Sequence, residues 1–229
     1  MNTPSRGAIY VATGDRYVAA AVTAARSLAR HCKGMQIHLF TDPEGELAVK
    51  QLSASPFTSI AVLENPNPRS KVDALVLTPF DQTIYFDADT KVVADITEVF
   101  GLLEKYDIAM AHAMRRVEGN LAPYHYPLPD AFPELNSGVM LYRKTPAVMK
   151  MLQRFKQEFA GDWVEIGERN QQALHDQTPL RELLWESGLQ IAVLPPEYNI
   201  RYLRYPFFWG KTEAQPKIYH LKMLQRGRW

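Results

Sequence analysis

Two carboxylates that follow an apolar run are the side chains of this sequence best suited to chemistry. Asp87 and Asp89 come directly after Ile84–Phe86, which predicts the end of a buried strand. In extended backbone, side chains two residues apart point to the same side, so both carboxylates can face one ligand. Charge at the end of an apolar strand is costly unless a partner neutralises it, and a hard divalent cation suits this role. Two carboxylates leave positions for water and substrate phosphates, which favours Mg²⁺ or Mn²⁺; the alternative is a pair of solvated turn aspartates.

Two other polar segments adjoin predicted strands and are candidates for a ligand site. The first consists of Thr13, Gly14, Asp15 and Tyr17, and the second of Asn136, Ser137 and Gly138. In the first segment, Gly14 permits close backbone approach, the following helix start offers N–H groups, and Tyr17 offers a flat face for a nucleobase. In the second, amide and hydroxyl groups suit sugar hydroxyls, although an Asn-Ser-Gly turn often serves only the chain geometry.

The elements that must position these residues alternate in type along the first half of the chain. Strands are predicted at 8–13, 35–41, 60–63 and 83–87, and helices at 15–30, 46–52 and 70–77. Asp15 is placed to cap the first helix. Such alternation predicts an α/β fold with a mostly parallel central sheet flanked by helices. In open sheets of this kind, ligands bind beyond the carboxyl ends of the strands.

The second half of the chain has a less regular pattern. Helices are predicted at 96–105, 146–159 and 170–186, and strands at 107–113, 139–142, 190–194 and 217–221. Between them, residues 115–134 contain four prolines, and a loop of this length in a compact domain is usually functional or mobile. One domain over residues 1–229 is the simpler prediction, with a nucleotide-type half at about 1–113 and a closing half at about 114–229.

Composition limits the function classes. A net charge of +1 argues against a general nucleic-acid binder, which would present a wide basic surface. The single cysteine, Cys32, cannot form an internal disulfide, which fits a reducing compartment. Residues 1–6 have no apolar signal-peptide core, and no run reaches the length of a membrane span. We therefore expect a cytoplasmic protein, with a basic and aromatic C-terminal segment that could meet an anionic ligand or contact a membrane peripherally.

Several segments, in this order, resemble those of the GT-A glycosyltransferases. The closest resemblance is to family eight, which includes glycogenin and bacterial lipooligosaccharide galactosyltransferases. The segments are A-I-Y-V-A-T-G-D-R-Y-V, I-Y-F-D-A-D-T-K-V, L-N-S-G-V-M-L-Y, H-D-Q-T-P-L, V-L-P-P with Tyr198-Asn199, and Tyr219-His220 with Trp229. Each is common alone, but the ordered combination is specific and spans nearly the whole chain.

The resemblance implies a metal-dependent enzyme that moves a hexose from a UDP-sugar to a hydroxyl acceptor, with retention of the anomeric configuration. Asp87, Asp89 and His220 would be the metal ligands, and an imidazole ligand favours Mn²⁺ over Mg²⁺. Asp176 would bind sugar hydroxyls, and Gln177 would assist the reaction on the donor's face. The acceptor, whether glycan, lipid-linked or protein, is not identified by the sequence.

The same resemblance implies a set of donor-binding residues. They are Thr13, Gly14, Asp15, Tyr17, Lys71, Asp87, Ala88, Asp89, Asn136, Ser137, Gly138 and Arg226. Lys71 could instead be a solvated helix lysine. The chain departs from the family pattern at its end, R-G-R-W, where the family's terminal lysine has no clear match. Arg226 or Arg228 would meet the diphosphate in its place.

The sequence leaves other reaction mechanisms and other classes of protein open. An inverting reaction would need a general base, for which Asp130 or Glu134 could serve. The F-D-A-D-T segment also resembles the nucleophile motif of haloacid-dehalogenase-type phosphatases, although that motif normally lies on the first strand. A non-catalytic relative that binds nucleotide or glycan is a third alternative. Residues 115–134 and the aromatic segment 201–209 should frame the acceptor, and the aromatic run could equally be core or a membrane-edge contact.

Overall fold

The structure, a computed structural model, describes residues 3–67, 70–113, 125–167, 176–201 and 215–221. In these residues the strands are β1 (Arg6–Val11), β2 (Gln36–Thr41), β3 (Ser59–Val62), β4 (Gln82–Phe86), β5 (Thr90–Val92), β6 (Ile108–His112), β7 (Leu135–Arg143), β8 (Ile191–Leu194) and β9 (Ile218–His220). The α-helices are α1 (Asp15–His31), α2 (Pro43–Lys50), α3 (Ser70–Leu75), α4 (Pro146–Gly167) and α5 (Gln177–Ser187). Short 3-10 helices span Thr97–Glu104 and Pro196–Tyr198.

Seven of the described strands form one sheet, in the order β3-β2-β1-β4-β7-β6-β8. Strand β7 pairs antiparallel with β4 and with β6, while the other neighbours pair in parallel. The predicted α/β fold with a mostly parallel central sheet is therefore confirmed. Strand β7 comes from the second half of the sequence and lies between β4 and β6, so strands from both halves share one sheet.

The sheet buries alternate residues of each strand against helices on its two faces. On β4, Ile84 and Phe86 pack in one core cluster with α1, whereas Tyr85 packs in a second cluster with α3, α4 and α5. Helix α1 meets the sheet through an apolar stripe, which includes Ala21, Ala25 and Leu28 at helical spacing. Because alanine side chains are short, this helix can lie close to the strands. Among the described helices, none is both long and apolar enough to cross a membrane.

Three local predictions were wrong. Asp15 does not cap α1: the N-cap is Gly14, at φ 76°, without a side-chain cap, because glycine adopts this left-handed conformation readily. The segment Asn136–Gly138 is not a turn but part of β7, whose pairing starts at Leu135. The helix expected at 96–105 is a 3-10 helix, and Gly101 at its centre has low α-helix propensity.

A second, two-stranded sheet was not fully predicted. Strand β5 pairs antiparallel with β9, so that Thr90 is opposite His220 and Val92 is opposite Ile218. A three-residue strand carries little periodic signal, which is why β5 escaped the sequence analysis. Its consequence is large, because it brings the C-terminal strand beside the residues that follow β4.

An ion pair connects strands of the main sheet at the end that is opposite the two-stranded sheet. Arg143 Nη2 lies 2.7 Å from Asp107 Oδ1, and the Gln190 backbone N–H donates to Asp107 Oδ2 at 2.8 Å. Asp107 thus links the start of β6 to the end of β7 and to the residue before β8. Burial alone would raise the pKa of the Asp107 carboxyl, but the bonds from Gln190 and Arg143 lower it overall.

We expect Asp107→Asn to reduce the free energy of unfolding by about 1 kcal/mol at about pH 7. The folded-state pKa of Asp107 is depressed, so its contribution is present above its ordinary pKa and is lost as pH falls through the folded-state pKa. Urea unfolding of both proteins should therefore show a difference that diminishes as the pH falls below the ordinary pKa of an aspartate. Asp130→Asn, at an exposed carboxylate, is the control. A difference unchanged by pH would contradict the charge-based explanation.

Candidate functional site

The two aspartates converge through a turn at the end of β4. The Asp87 backbone N–H donates to the Gly138 carbonyl at 2.8 Å, which extends the pairing of β4 with β7 by one residue. Thr90 then closes the turn, since its N–H lies 3.2 Å and its Oγ1 2.8 Å from the Asp87 carbonyl oxygen. The sequence predicted extended backbone at Asp87 and Asp89, but the structure has a turn there. The turn, rather than a strand, therefore places the two carboxylates on the same side.

His220 joins the two aspartates from β9. The β5–β9 pairing sets His220 opposite Thr90, and the Leu221 N–H donates to the Asp89 carbonyl oxygen at 3.0 Å. His220 Nε2 lies 3.4 Å from Asp87 Oδ2 and 3.2 Å from Asp89 Oδ1. One potential ligand atom from each of the three side chains lies within 4.8 Å of the other two.

This donor set fits a divalent cation. Two carboxylates and one imidazole match the oxygen and nitrogen donors that Mn²⁺ accepts. Burial alone would lower the pKa of His220, but Asp87 and Asp89 raise it overall, which shows that the carboxylates attract positive charge to this point. Gly138 supports the arrangement, because a Cβ atom there would stand 2.0 Å from His220 Cε1 and 2.6 Å from Asp87 Oδ2. The three residues can therefore bind a metal, and only glycine fits beside them.

Lys71 of α3 is not a solvated lysine. Its Nζ lies 2.8 Å from Asp176 Oδ2, 3.3 Å from Asp87 Oδ1 and 2.8 Å from Ser137 Oγ. Burial alone would lower the pKa of Lys71, but Asp176 and Asp87 raise it overall. The pKa of Asp176 is lowered, since the Lys71 ammonium outweighs the effect of burial. The Lys71 ammonium and the carboxylates of Asp87 and Asp176 are thus charged at neutral pH. Because Lys71 contacts both carboxylates, it connects the candidate metal ligands to Asp176.

Tyr85 also contacts the first aspartate. Its hydroxyl donates to Asp87 Oδ1 at 2.5 Å, and the Lys71 Nζ lies 5.1 Å from the centre of its ring. Burial and the Asp87 charge raise the pKa of Tyr85 well above its ordinary value, so the hydroxyl stays protonated. Burial would raise the pKa of Asp87, but Lys71 and His220 lower it overall. Asp87 is therefore an anion held in one orientation.

Asp176 and Gln177 meet β7 at the start of α5. The Ser137 hydroxyl donates to Asp176 Oδ2 at 2.7 Å, and Asn136 Nδ2 donates to Gln177 Oε1 at 2.5 Å. Gln177 Nε2 in turn donates to Glu134 Oε1 at 2.7 Å. Because β7 is antiparallel, its N-terminal residues lie at the same edge of the sheet as the carboxyl end of β4. That direction explains how residues from both halves of the sequence meet.

The segment Thr13–Tyr17 follows β1, the parallel neighbour of β4, and so lies at the same edge of the sheet. The N–H of Gly14, the residue at which close backbone approach of a ligand was predicted, donates to Asp42 Oδ2 at 2.6 Å. Asp42 also caps α2, accepting from the Gly45 N–H at 2.8 Å. Tyr17 is 46% exposed, as a stacking surface for a base would require. Ala88 is buried between the two aspartates.

Some predicted site residues cannot be placed. Arg226 and Arg228 lie outside the described residues, as do residues 115–124 and 202–209, so their roles stay predictions. Asp42 was missed by the sequence analysis, although an aspartate followed by proline after a strand is a helix-start signal. Arg201 was predicted only as part of an aromatic acceptor segment, but its Nη1 lies 2.6 Å from His220 Nε2. No local pattern could have placed it there.

No protein-family model and no curated protein matches this sequence. Solved structures do match. Mouse xyloside xylosyltransferase 1 in its apo form has a TM-score of 0.61 at 18% identity, covering 94% of this chain and 97% of that one. The galactosyltransferase LgtC, in complex with donor and acceptor sugar analogues, has a TM-score of 0.63 at 14% identity, covering 94% and 87%. Apo GlyE from Streptococcus pneumoniae TIGR4 has a TM-score of 0.60 at 18% identity, with 94% of this chain and 54% of that one covered.

Identities this low establish the fold alone. The chain has the GT-A fold of these glycosyltransferases, as the sequence predicted. It spans nearly the full length of the xylosyltransferase and about half the length of GlyE. The aspartate pair follows β4, the fourth strand along the chain, rather than the first strand. That position does not favour the phosphatase alternative.

Proposed function

We propose that this protein is a metal-dependent glycosyltransferase that moves a hexose from a UDP-sugar to a hydroxyl group, with retention of configuration. The observation that carries the proposal is the convergence of Asp87, Asp89 and His220 at the ligand-binding edge of a GT-A sheet. LgtC, which shares this fold, is described in complex with donor and acceptor sugar analogues. The acceptor hydroxyl would belong to a glycan, a lipid-linked molecule or a protein.

Asp87, Asp89 and His220 would hold the divalent cation, with Mn²⁺ favoured over Mg²⁺ by the imidazole nitrogen. A cation bound there would offset the negative charge that develops on the leaving diphosphate. Tyr85 and Lys71 support this role, because both contact Asp87 Oδ1 and leave its other oxygen, Oδ2, facing His220. Two protein carboxylates leave coordination positions for phosphate oxygens.

Asp176 and Gln177 would act on the sugar side of the donor. Lys71 and Ser137 both contact Asp176 Oδ2, so this carboxylate is fixed for hydrogen bonds to sugar hydroxyls. Gln177 is oriented at both ends of its amide, by Asn136 and by Glu134. A fixed amide beside the reactive carbon would assist a reaction on the donor's own face, as a retaining mechanism requires.

The surroundings of the two possible general bases support retention over inversion. Glu134 is only 1% exposed, and its Oε1 accepts from Gln177. Asp130 is exposed in the segment before β7. An inverting enzyme needs a base in hydrogen-bond reach of the acceptor hydroxyl, and the burial of Glu134 leaves its carboxylate little access to an acceptor.

The remaining donor contacts would be made by residues at the ligand-binding end of the sheet. Thr13, Gly14 and Asp15 would lie against the nucleoside, with Tyr17 stacked on the base. Ser137 and Gly138 would line the diphosphate beside Ala88, and Arg226 would reach it from the C-terminal segment. We propose that the same basic segment accounts for any peripheral membrane contact of a cytoplasmic enzyme.

Binding of UDP, measured calorimetrically with Mn²⁺ and with excess EDTA, tests this proposal. We expect UDP to bind at least about tenfold more tightly with Mn²⁺, because the diphosphate would share the cation with Asp87, Asp89 and His220. UMP, which lacks the second phosphate, is the matched ligand control and should show little response to the metal. Metal-independent UDP binding, or none, would contradict the donor-site proposal.

A donor screen then identifies the sugar. Slow hydrolysis of UDP-glucose, UDP-galactose and UDP-xylose, with GDP-mannose as the control for the base, can be followed by release of the nucleoside diphosphate. UDP-xylose is included because a structural neighbour is a xylosyltransferase. The proposal predicts that a UDP-hexose gives the fastest release.

A further inference from the structure

A directed chain of hydrogen bonds runs from Glu134 to His220 through three side-chain amides. Gln177 Nε2 donates to Glu134 Oε1 at 2.7 Å, and Asn136 Nδ2 donates to Gln177 Oε1 at 2.5 Å. Asn199 Nδ2 donates to Asn136 Oδ1 at 2.9 Å, and Asn199 Oδ1 lies 2.9 Å from His220 Nδ1. The last two links are buried, since Asn199 and His220 are each 1% exposed.

The backbone of Gly138 fixes the direction of this chain. Its N–H lies 3.1 Å from Asn136 Oδ1, and a backbone N–H can only donate. That atom of Asn136 must therefore be the amide oxygen, and Asn199 must present its NH₂ group to it. Asn199 then turns its oxygen toward His220, and an oxygen can only accept. The ring nitrogen Nδ1 of His220 must carry the proton.

Arg201 bears on the same assignment, because it contacts the ring nitrogen of His220 that also faces the two carboxylates. Its Nη1 lies 2.6 Å from His220 Nε2 and 3.2 Å from Nδ1, and guanidinium nitrogens cannot accept hydrogen bonds. When the ring is charged both nitrogens carry protons, but when it is neutral Arg201 favours a lone pair on the nearer nitrogen, Nε2. This is the nitrogen that faces Asp87 and Asp89, at 3.4 Å and 3.2 Å.

We propose that Asn199 is a positioning residue that holds His220 as the Nδ1–H tautomer, so that the Nε2 lone pair points at a cation shared with Asp87 and Asp89. The proposal rests on the metal site of the proposed function. Histidine ligands of metals commonly donate their other ring N–H to a fixed acceptor, which orients the ring and raises its basicity. Here that acceptor is an amide whose own orientation is set by Asn136.

Long-range ¹H–¹⁵N NMR spectra of the imidazole rings at alkaline pH measure the tautomer directly, without metal or nucleotide. The chain has six histidines, and loss of one signal set in His220→Gln identifies the ring of interest. We expect Nδ1 of His220 to be protonated and Nε2 to be bare. A protonated Nε2 in the unaltered protein overturns the proposal, whatever the variants do.

Two variants separate hydrogen bonding from packing. Asn199→Leu has similar volume but no acceptor, and should release the tautomer preference and weaken Mn²⁺ binding by about 10- to 100-fold, measured without nucleotide. Asn199→Asp keeps an acceptor for His220 but sets an oxygen against Asn136 Oδ1. We expect Asn199→Asp to keep the Nδ1–H tautomer, whether or not it is less thermally stable than Asn199→Leu.

The outcomes also separate this inference from the proposed function. An Asn199→Leu protein that folds and keeps both the tautomer and the Mn²⁺ affinity overturns the positioning role. If Asn199→Leu does not fold, Asn199→Asp and the unaltered protein decide, since both must show the Nδ1–H tautomer. If UDP fails to bind while Mn²⁺ binding depends on Asn199 as described, the donor proposal fails and the role of Asn199 stands.

Discussion

Asp89→Asn should abolish metal-dependent UDP binding and reduce donor hydrolysis by at least about 100-fold. Asparagine has nearly the same shape, so the side chain can keep its place in the turn after β4. It lacks the charge, however, and one carboxylate with one imidazole is a poor set of donors for a divalent cation. The Asp89 side chain is only 6% exposed, so water cannot easily replace the lost ligand oxygen.

The matched control for this variant is Asp95→Asn. Asp95 is exposed, and its Oδ1 accepts from the Thr97 N–H at 2.9 Å, a bond that an asparagine oxygen can replace. Calorimetric UDP titrations with Mn²⁺ and hydrolysis assays on both variants make the comparison. We expect Asp89→Asn to stay folded in metal-free buffer, as its melting temperature would show, since the substitution removes repulsion from Asp87 together with attraction to His220. Activity retained by Asp89→Asn would exclude the metal role of this residue.

Gly138→Ala should disrupt the same site by geometry rather than by charge. The new Cβ would lie 2.0 Å from His220 Cε1 and 2.6 Å from Asp87 Oδ2, closer than atoms in contact can approach. Either the imidazole or the β7 backbone must move. Overpacking of this kind costs about 1–3 kcal/mol, and a displaced His220 should also lose Mn²⁺ affinity. Thermal unfolding and a Mn²⁺ titration measure the two effects.

Gly101→Ala is the control for the loss of a glycine. A Cβ at Gly101 would meet no atom within 4 Å, so stability should be unchanged or slightly increased. A double variant, His220→Ala with Gly138→Ala, identifies the clash: without the ring, adding the methyl group should cost much less than it does beside His220. Equal costs in the two backgrounds would show that the strain lies elsewhere in β7.

The sequence was sufficient to predict the α/β class and the strand that precedes the aspartates. The apolar run before Asp87 predicts a buried strand, because local hydrophobicity indicates burial without knowledge of the packing partners. The direction of β7 could not be predicted, because an apolar strand gives no sign of the partner with which it pairs. Its start was misplaced for the same reason: Asn136 and Ser137 are polar, and contacts with residues distant in sequence, such as Gln177 and Asp176, explain their burial in a strand.

The ligand from the C-terminal strand needed information that spacing along the chain does not hold. His220 was predicted through the family resemblance, and its neighbours Asn199 and Arg201 were not assigned to it. Lys71 could not be distinguished from a solvated lysine, because its polar partners come from the turn after β4, from β7 and from the residue before α5. Contacts between distant segments decide such burial, whereas helix and strand patterns are local.

The pairing of β9 with β5 has a consequence for the order of folding. Strand β9 is held on its two sides by β5 and by Ile200, so His220 can reach Asp87 and Asp89 only when the end of the chain has docked. Contacts of such long range form late, after the loop-closure entropy has been overcome. A cation that binds only the docked state would stabilise it by mass action. Metal binding would therefore stabilise the segment that docks last, and removal of the metal with a chelator should first destabilise the pairing of β9 with β5.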